Sequence, residues 1–148
     1  MLENQASFLA MNDGDLESFA REHLSYEVWM LRETAGWLVA APPGVPLPTW
    51  NAYTESFGIH ARALGDFLAN RGNHRDDVLA KHYAPHWTAE DPASGLAKIV
   101  DKQVAHLTSV RLEKAPINPW VALTQLTESF EHFVLAVPGP RRLWFDWF

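Results

Sequence analysis

Apolar residues recur along this chain at helical spacing, and no segment sustains the alternate-residue pattern of a half-buried strand. Leu16, Ala20, Leu24, Val28, Leu31, Ala35 and Leu38 form one stripe of a first helix expected from about 15 to 40, and Phe19, Tyr26, Met30 and Trp37 form another beside it. The segment APPGVPLP ends that helix. A second helix is expected after Thr49, a fitting N-cap, and runs to near Gly72. It places Trp50, Tyr53, Phe57, Leu64, Phe67 and Leu68 together, next to a strip of small residues, Thr54, Gly58, Ala61 and Gly65. Glycine inside a helix costs about 1 kcal/mol against alanine, so Gly58 and Gly65 point to close approach by a neighbouring helix.

A short helix around 76–82 and a loop bracketed by Pro85 and Pro92 come next. A third helix is expected from 93 to 112, with Leu96, Ile99, Val100, Val104, Leu107 and Val110 inward. Asn118 as N-cap and Pro119 in the first position open the fourth, and Pro138-Gly139-Pro140 stops it near Val137. Its inward side is expected to carry Trp120, Leu123, Leu126, Phe130, Phe133, Val134 and Val137, with Gln125, Ser129 and His132 opposite. The expected architecture is all-α: a four-helix bundle with a short extra helix, one domain over 1–148, an N-terminal arm over 1–14 and an aromatic tail over 138–148. Trp144, Phe145, Trp147 and Phe148 in that tail need a surface to dock on, in the same chain or in another subunit.

At 148 residues the chain is long enough to bury a single core without covalent staples. It has no cysteine, which excludes disulfide frameworks, thiolate metal sites and cysteine nucleophiles, and suits a cytoplasmic protein. The net charge of −6 argues against nonspecific binding to duplex DNA. No charged residue lies between Glu33 and Glu55, but Pro42, Pro43, Pro46 and Pro48 interrupt this stretch, so it reads as helix end, stiff loop and new helix rather than a membrane span. The acidic, weakly apolar start with Glu3 does not read as a signal peptide. Serine-hydrolase, P-loop, dinucleotide-binding and zincin motifs are all missing.

Chemistry is sought instead in polar residues on apolar faces. His23, Glu27 and Thr34 project between the stripes of the first helix. A carboxylate there is costly unless paired, so Glu27 should either meet a cation from another helix or carry a raised pKa. His60 falls on the inward side of the second helix, as a hydrogen-bonded core residue or as part of a site. Arg62 and Asp66, spaced i,i+4 with Glu55 on the same side, are expected to point away from the core, as a surface pair or a partner surface. On the third helix His106 lies at the edge of the core face, with Lys102 one turn earlier and Arg111 beyond. A lysine near a histidine favours neutral imidazole, which suits a proton acceptor, and Lys102 or Arg111 could stabilise charge on a phosphate. His23, Glu27, His60 and His106 could also approach one another as metal ligands; His82 and His86 share the spacing of a ligand pair, but Pro85 breaks the helix between them.

The segments HLSYEVWMLRETAGWL, ESFGIHARALGDFLANR, RDDVLAKHY and KQVAHLTSVR, spanning most of 23–111, resemble a group of small bacterial helical proteins of unassigned function. The Gln-Val-Ala-His stretch is distantly similar to the HEPN superfamily, helical domains that often dimerise and include metal-independent ribonucleases. The HEPN motif places an arginine ahead of its histidine, whereas the residue five before His106 is Asp101, followed by Lys102. The resemblance implies a HEPN-like fold and a possible homodimer. It implies RNA cleavage only if Lys102 or Arg111 substitutes for the missing arginine. The expectation is therefore a noncatalytic binding or regulatory module without cofactor, self-associating, with a possible RNA or protein partner and sited in the cytoplasm. Its candidate binding residues are His23, Glu27, His60 and Asp66. The alternatives are a ribonuclease in which His106 is the base, Lys102 and Arg111 contact phosphate and Arg62 assists, and a His/Glu metal-binding bundle.

Overall fold

The computed structural model of the chain describes residues 11–72, 74–92 and 117–148, together with Gly95 and Val100. Every regular element among them is helical. Apart from Gly95 and Val100, the expected third helix, with Lys102, His106 and Arg111, lies outside the described residues.

The first helical rod begins as α1, Asp13–Phe19, passes through a π turn, Ala20–Leu24, and continues as α2, Ser25–Ala40. It starts two residues before the expected Asp15, because Asn12 caps it: the Asn12 side chain accepts from the Asp15 N–H at 2.9 Å, while the Asp15 carboxylate takes the Asn12 N–H at 3.1 Å. The π turn follows from the spacing of the buried stripe. Leu16, Ala20, Leu24 and Val28 succeed one another by four residues, and in an unbroken α-helix each such step drifts by about 40°, or about 120° over three steps. A wider turn, with the Ser25 N–H bonded to the Ala20 carbonyl, absorbs this drift, and all seven residues of the stripe through Leu38 are buried.

After the loop over 41–46, α3 covers Leu47–Leu68. Thr49 lies inside it rather than capping it. Pro48 is accommodated in the first turn, where the N–H it lacks would have had no partner in the helix. The helix ends at Leu68, short of Gly72, because Asn70 takes up the left-handed conformation, φ 53°, and its side chain accepts from the Lys81 N–H at 2.9 Å. Gly58 meets the expected close neighbour: a Cβ there would come within 3.1 Å of the Val100 side chain. The short helix is α4, Ala80–Tyr83, so the stretch expected to open it at 76 is non-helical up to Leu79.

The next described helix, α5, Pro119–Ala136, has the expected Asn118 cap and Pro119 start. Leu126, Phe130, Phe133 and Val137 are buried as expected. Trp120 is not: it sits in the first turn, ahead of the first buried position, and is 62% exposed. Ser129 is buried rather than outward, because its hydroxyl donates to Glu90 at 2.6 Å. Helix α6, Gly139–Arg142, and a 3-10 turn, Leu143–Phe145, carry the aromatic tail back onto its own chain.

Aromatic packing joins these pieces. Phe133 meets Phe67 at 5.1 Å and 86°, Phe145 at 5.4 Å and 87°, Trp87 at 5.8 Å and 85°, and Tyr83 at 6.1 Å and 88°, all edge to face. Tyr83 is fully buried, which pushes its phenol pKa up, and its hydroxyl donates to the Leu16 carbonyl at 3.0 Å. Ionic hooks add to the tail's attachment: Arg21 bonds Asp146 at 2.8 Å and Arg141 bonds Asp13 at 2.5 Å. Exposed pairs of this kind contribute about 0–1 kcal/mol, so burial of the rings dominates. Phe133→Ala is expected to cost about 3–5 kcal/mol in urea denaturation, and Asp146→Ala to leave the midpoint close to that of the parent chain.

His82 caps α4 from within, its Nδ1 accepting the Leu79 N–H at 3.1 Å. Only the neutral ring can accept there. Burial, aided by the charge of Lys81, holds the His82 pKa below its ordinary value of 6.5. The unfolded chain therefore takes up this proton first, and the stabilisation is complete above pH 6.5 and lost as pH falls through the folded value. In His82→Asn the amide oxygen keeps an acceptor near Nδ1, and the loss of stability between pH 8 and pH 5 should be smaller than in the parent chain.

Candidate functional site

A cleft of about 520 Å³ opens where the π turn and the start of α2 face the second half of α3 and the segment 74–79. His23 and Glu27 come from the first rod, one turn apart. Arg62 and Asp66 come from α3, and Arg71, His74, Asp76 and Asp77 from the chain that follows it. Phe19, Leu24, Phe67, Val78 and Leu79 supply its apolar lining. The π turn has a local consequence here, since His23 lies within it and Glu27 in the turn after it.

Glu27 meets a partner from another helix, as its position in an apolar arc requires. Its Oε2 lies 2.6 Å from His60 Nδ1, and His60 is only 8% exposed. His60 does not line the cleft. It stands behind Glu27 and fixes a carboxylate that does. Tyr26 packs nearly perpendicular to the imidazole, with ring centroids 5.6 Å apart at 79°.

Across the cleft Asp66 is shared by two guanidinium groups. Arg71 Nε donates to its Oδ1 at 2.7 Å and Arg62 Nε approaches its Oδ2 at 3.4 Å. Arg71 also bonds Asp91. Burial works against the charge on Arg71, but the hydrogen bonds it donates to Asp66 and Asp91 outweigh it and raise the pKa. Arg62 and Asp66, expected to point away from the core, are half-buried and line the cleft, because the loop after α3 folds back over them. Glu55 is exposed and is not part of the cleft lining. His23 is exposed at the rim, its ring 4.9 Å from that of Phe19.

The structure thus gathers His23, Glu27, Arg62 and Asp66 around one cleft with His60 behind it, while His106, Lys102 and Arg111 fall outside the described residues. Arg71 and the 74–79 segment escaped sequence reasoning, for Arg71 follows the helix end and reaches Asp66 only through the turn at Asn70. Among the described residues no group of three or more histidine or acidic side chains could hold a metal ion. No described helix is long and apolar enough to cross a membrane.

Removing one member of the Glu27–His60 pair leaves the other without its partner in a partly buried place. His60→Ala and Glu27→Ala should each cost about 1–3 kcal/mol. In a double-mutant cycle read by urea denaturation, the double variant should cost less than the sum of the two, by about 1 kcal/mol. Additive losses would mean that the contact contributes nothing.

No protein-family model, curated protein or solved structure matches this chain.

Proposed function

We propose that this chain is a noncatalytic binding or regulatory module: a HEPN-like four-helix bundle that pairs with a second copy in the cytoplasm and receives a ligand in the cleft between α2 and α3. The observation that carries this reading is the pairing of the cleft's charges. Glu27 is tied to His60, and Arg62 and Arg71 are tied to Asp66. Groups held this way are preorganised for recognition and poorly placed to shuttle protons, since each would first have to leave its partner. The cleft volume lies in the range that suits a small molecule. Large exposed apolar side chains, Leu47, Ile59, Trp120 and Leu143 among them, supply surface that self-association would cover. The lack of cysteine suits the cytoplasm.

The competing reading is a metal-independent ribonuclease with His106 as base, Lys102 and Arg111 on phosphate and Arg62 assisting. Purified protein incubated with mixed RNAs in EDTA should leave them intact, while sedimentation reports a dimer. RNA cleavage that disappears in a folded His106→Ala variant would overturn the binding-module reading in favour of the enzyme.

A further inference from the structure

Along one flank of α2, with Val28 of the buried stripe at its edge, a groove of about 510 Å³ runs between the first rod and the C-terminal tail. Tyr26 and Trp29 line it from α2 and Trp147 from the tail. The first two are 47% and 56% exposed, which is unusual for rings whose burial would be favourable. Glu22 and Glu33 stand along the same groove. Neither carboxylate is in an ion pair among the described residues. We propose that this groove is a binding site for a weakly hydrated organic cation of the quaternary ammonium class, a ligand site separate from the cleft.

The geometry is that of a corner already built. Tyr26 and Trp29 have ring centroids 6.1 Å apart with planes inclined at 46°, and both line the groove. Tyr26 is steadied by its contact with His60. Trp147 is held in orientation because its indole N–H donates to the Trp144 carbonyl at 2.9 Å, so that polar group is already satisfied within the tail. Aromatic faces carry negative potential and attract cations, most effectively those that give up water easily. The carboxylates of Glu22 and Glu33 add to that potential, and the chain's net charge of −6 acts in the same sense at longer range.

Arg32, also in the groove wall, is the local counter-charge, and its guanidinium lies 4.9 Å from the centroid of Phe148. The protein therefore already seats one cation on a ring of this tail. Among the described residues no cation lies over Tyr26, Trp29 or Trp147. Two carboxylates against one arginine leave the groove net negative. A neutral apolar occupant would gain the ring contacts but nothing from the carboxylates, and an anion would be repelled by both.

The test compares choline with 3,3-dimethyl-1-butanol, a neutral molecule of nearly the same shape, by following the indole N–H signals of Trp29 and Trp147 in 15N-labelled protein. Choline should shift both saturably, and the neutral isostere should bind at least about fivefold more weakly. Trp29→Ala and Glu33→Gln, both at exposed positions, should keep the parent thermal melt and each weaken choline binding, the tryptophan variant by about fivefold. The proposal is overturned if the isostere binds as well as choline, if sodium chloride at equal ionic strength reproduces the shifts, or if a folded Trp29→Ala chain binds choline unchanged.

Discussion

Edge-to-face packing around Phe133 is the constraint on which the rest of the structure depends. One ring on α5 faces α3 through Phe67, the short α4 through Tyr83, the loop through Trp87 and the tail through Phe145. None of the last three elements could hold its place alone. Four residues of helix and a terminal tail make too few internal hydrogen bonds to offset the conformational entropy of ordering them. Insertion of large rings between the long helices supplies the missing stabilisation. The ionic hooks at Arg21 and Arg141 then select the orientation of a tail whose attachment the rings already secure.

Within this frame the cleft is a consequence of helical register. The first part of the buried stripe, Leu16 to Val28, is written at four-residue intervals, whereas an α-helix needs the mixture of three and four found from Val28 to Leu38. The π turn reconciles that spacing with one continuous buried face, and His23 and Glu27 leave the rod from within that turn and just after it. Once Glu27 is aimed across to α3, a hydrogen-bonding partner is obligatory, and His60 supplies it at 2.6 Å. Closing the far side then requires only that the chain turn back after α3. Asn70 does this with a left-handed backbone, bringing Arg71 onto Asp66.

Much of this was legible in the sequence, and the parts that were not have physical reasons. Periodicity located the buried stripe from Leu16 to Leu38 and the buried part of α3 from Phe57 to Leu68, and it marked Glu27 and His60 as polar residues in apolar surroundings that would need company. Trp50 and Tyr26, also expected inward, are exposed, because facing the apolar side does not ensure a neighbour that covers the ring. The strip containing Gly58 indicated a close neighbour, and Val100 is there. Placing residues at a uniform 100° hid the π turn, although the repeated four-residue spacing was its signal. Ser129 read as outward because its partner, Glu90, is remote in sequence and belongs to a loop with no periodicity to read. Trp120 read as inward because position on a helical face says nothing about whether a neighbour extends as far as the first turn. For the same reason Arg62 and Asp66 read as surface residues: a loop that folds back over a helix leaves no trace in that helix's own pattern.

The two openings beside α2 differ in a way that follows from what surrounds each charge. In the cleft, acids and bases from several elements are brought within hydrogen-bonding distance, and Glu27, Arg62, Asp66 and Arg71 are bonded to one another or to a neighbour behind them. In the groove, aromatic rings separate the charges, so Glu22 and Glu33 remain solvated while Arg32 lies against Phe148. A ligand for the cleft must therefore compete with interactions already made, whereas a ligand for the groove displaces water alone. Tyr26 touches both regions, packing against the imidazole that holds Glu27 and lining the groove. The pairing that orders the cleft thereby also fixes one wall of the groove, and loss of His60 would loosen both at once.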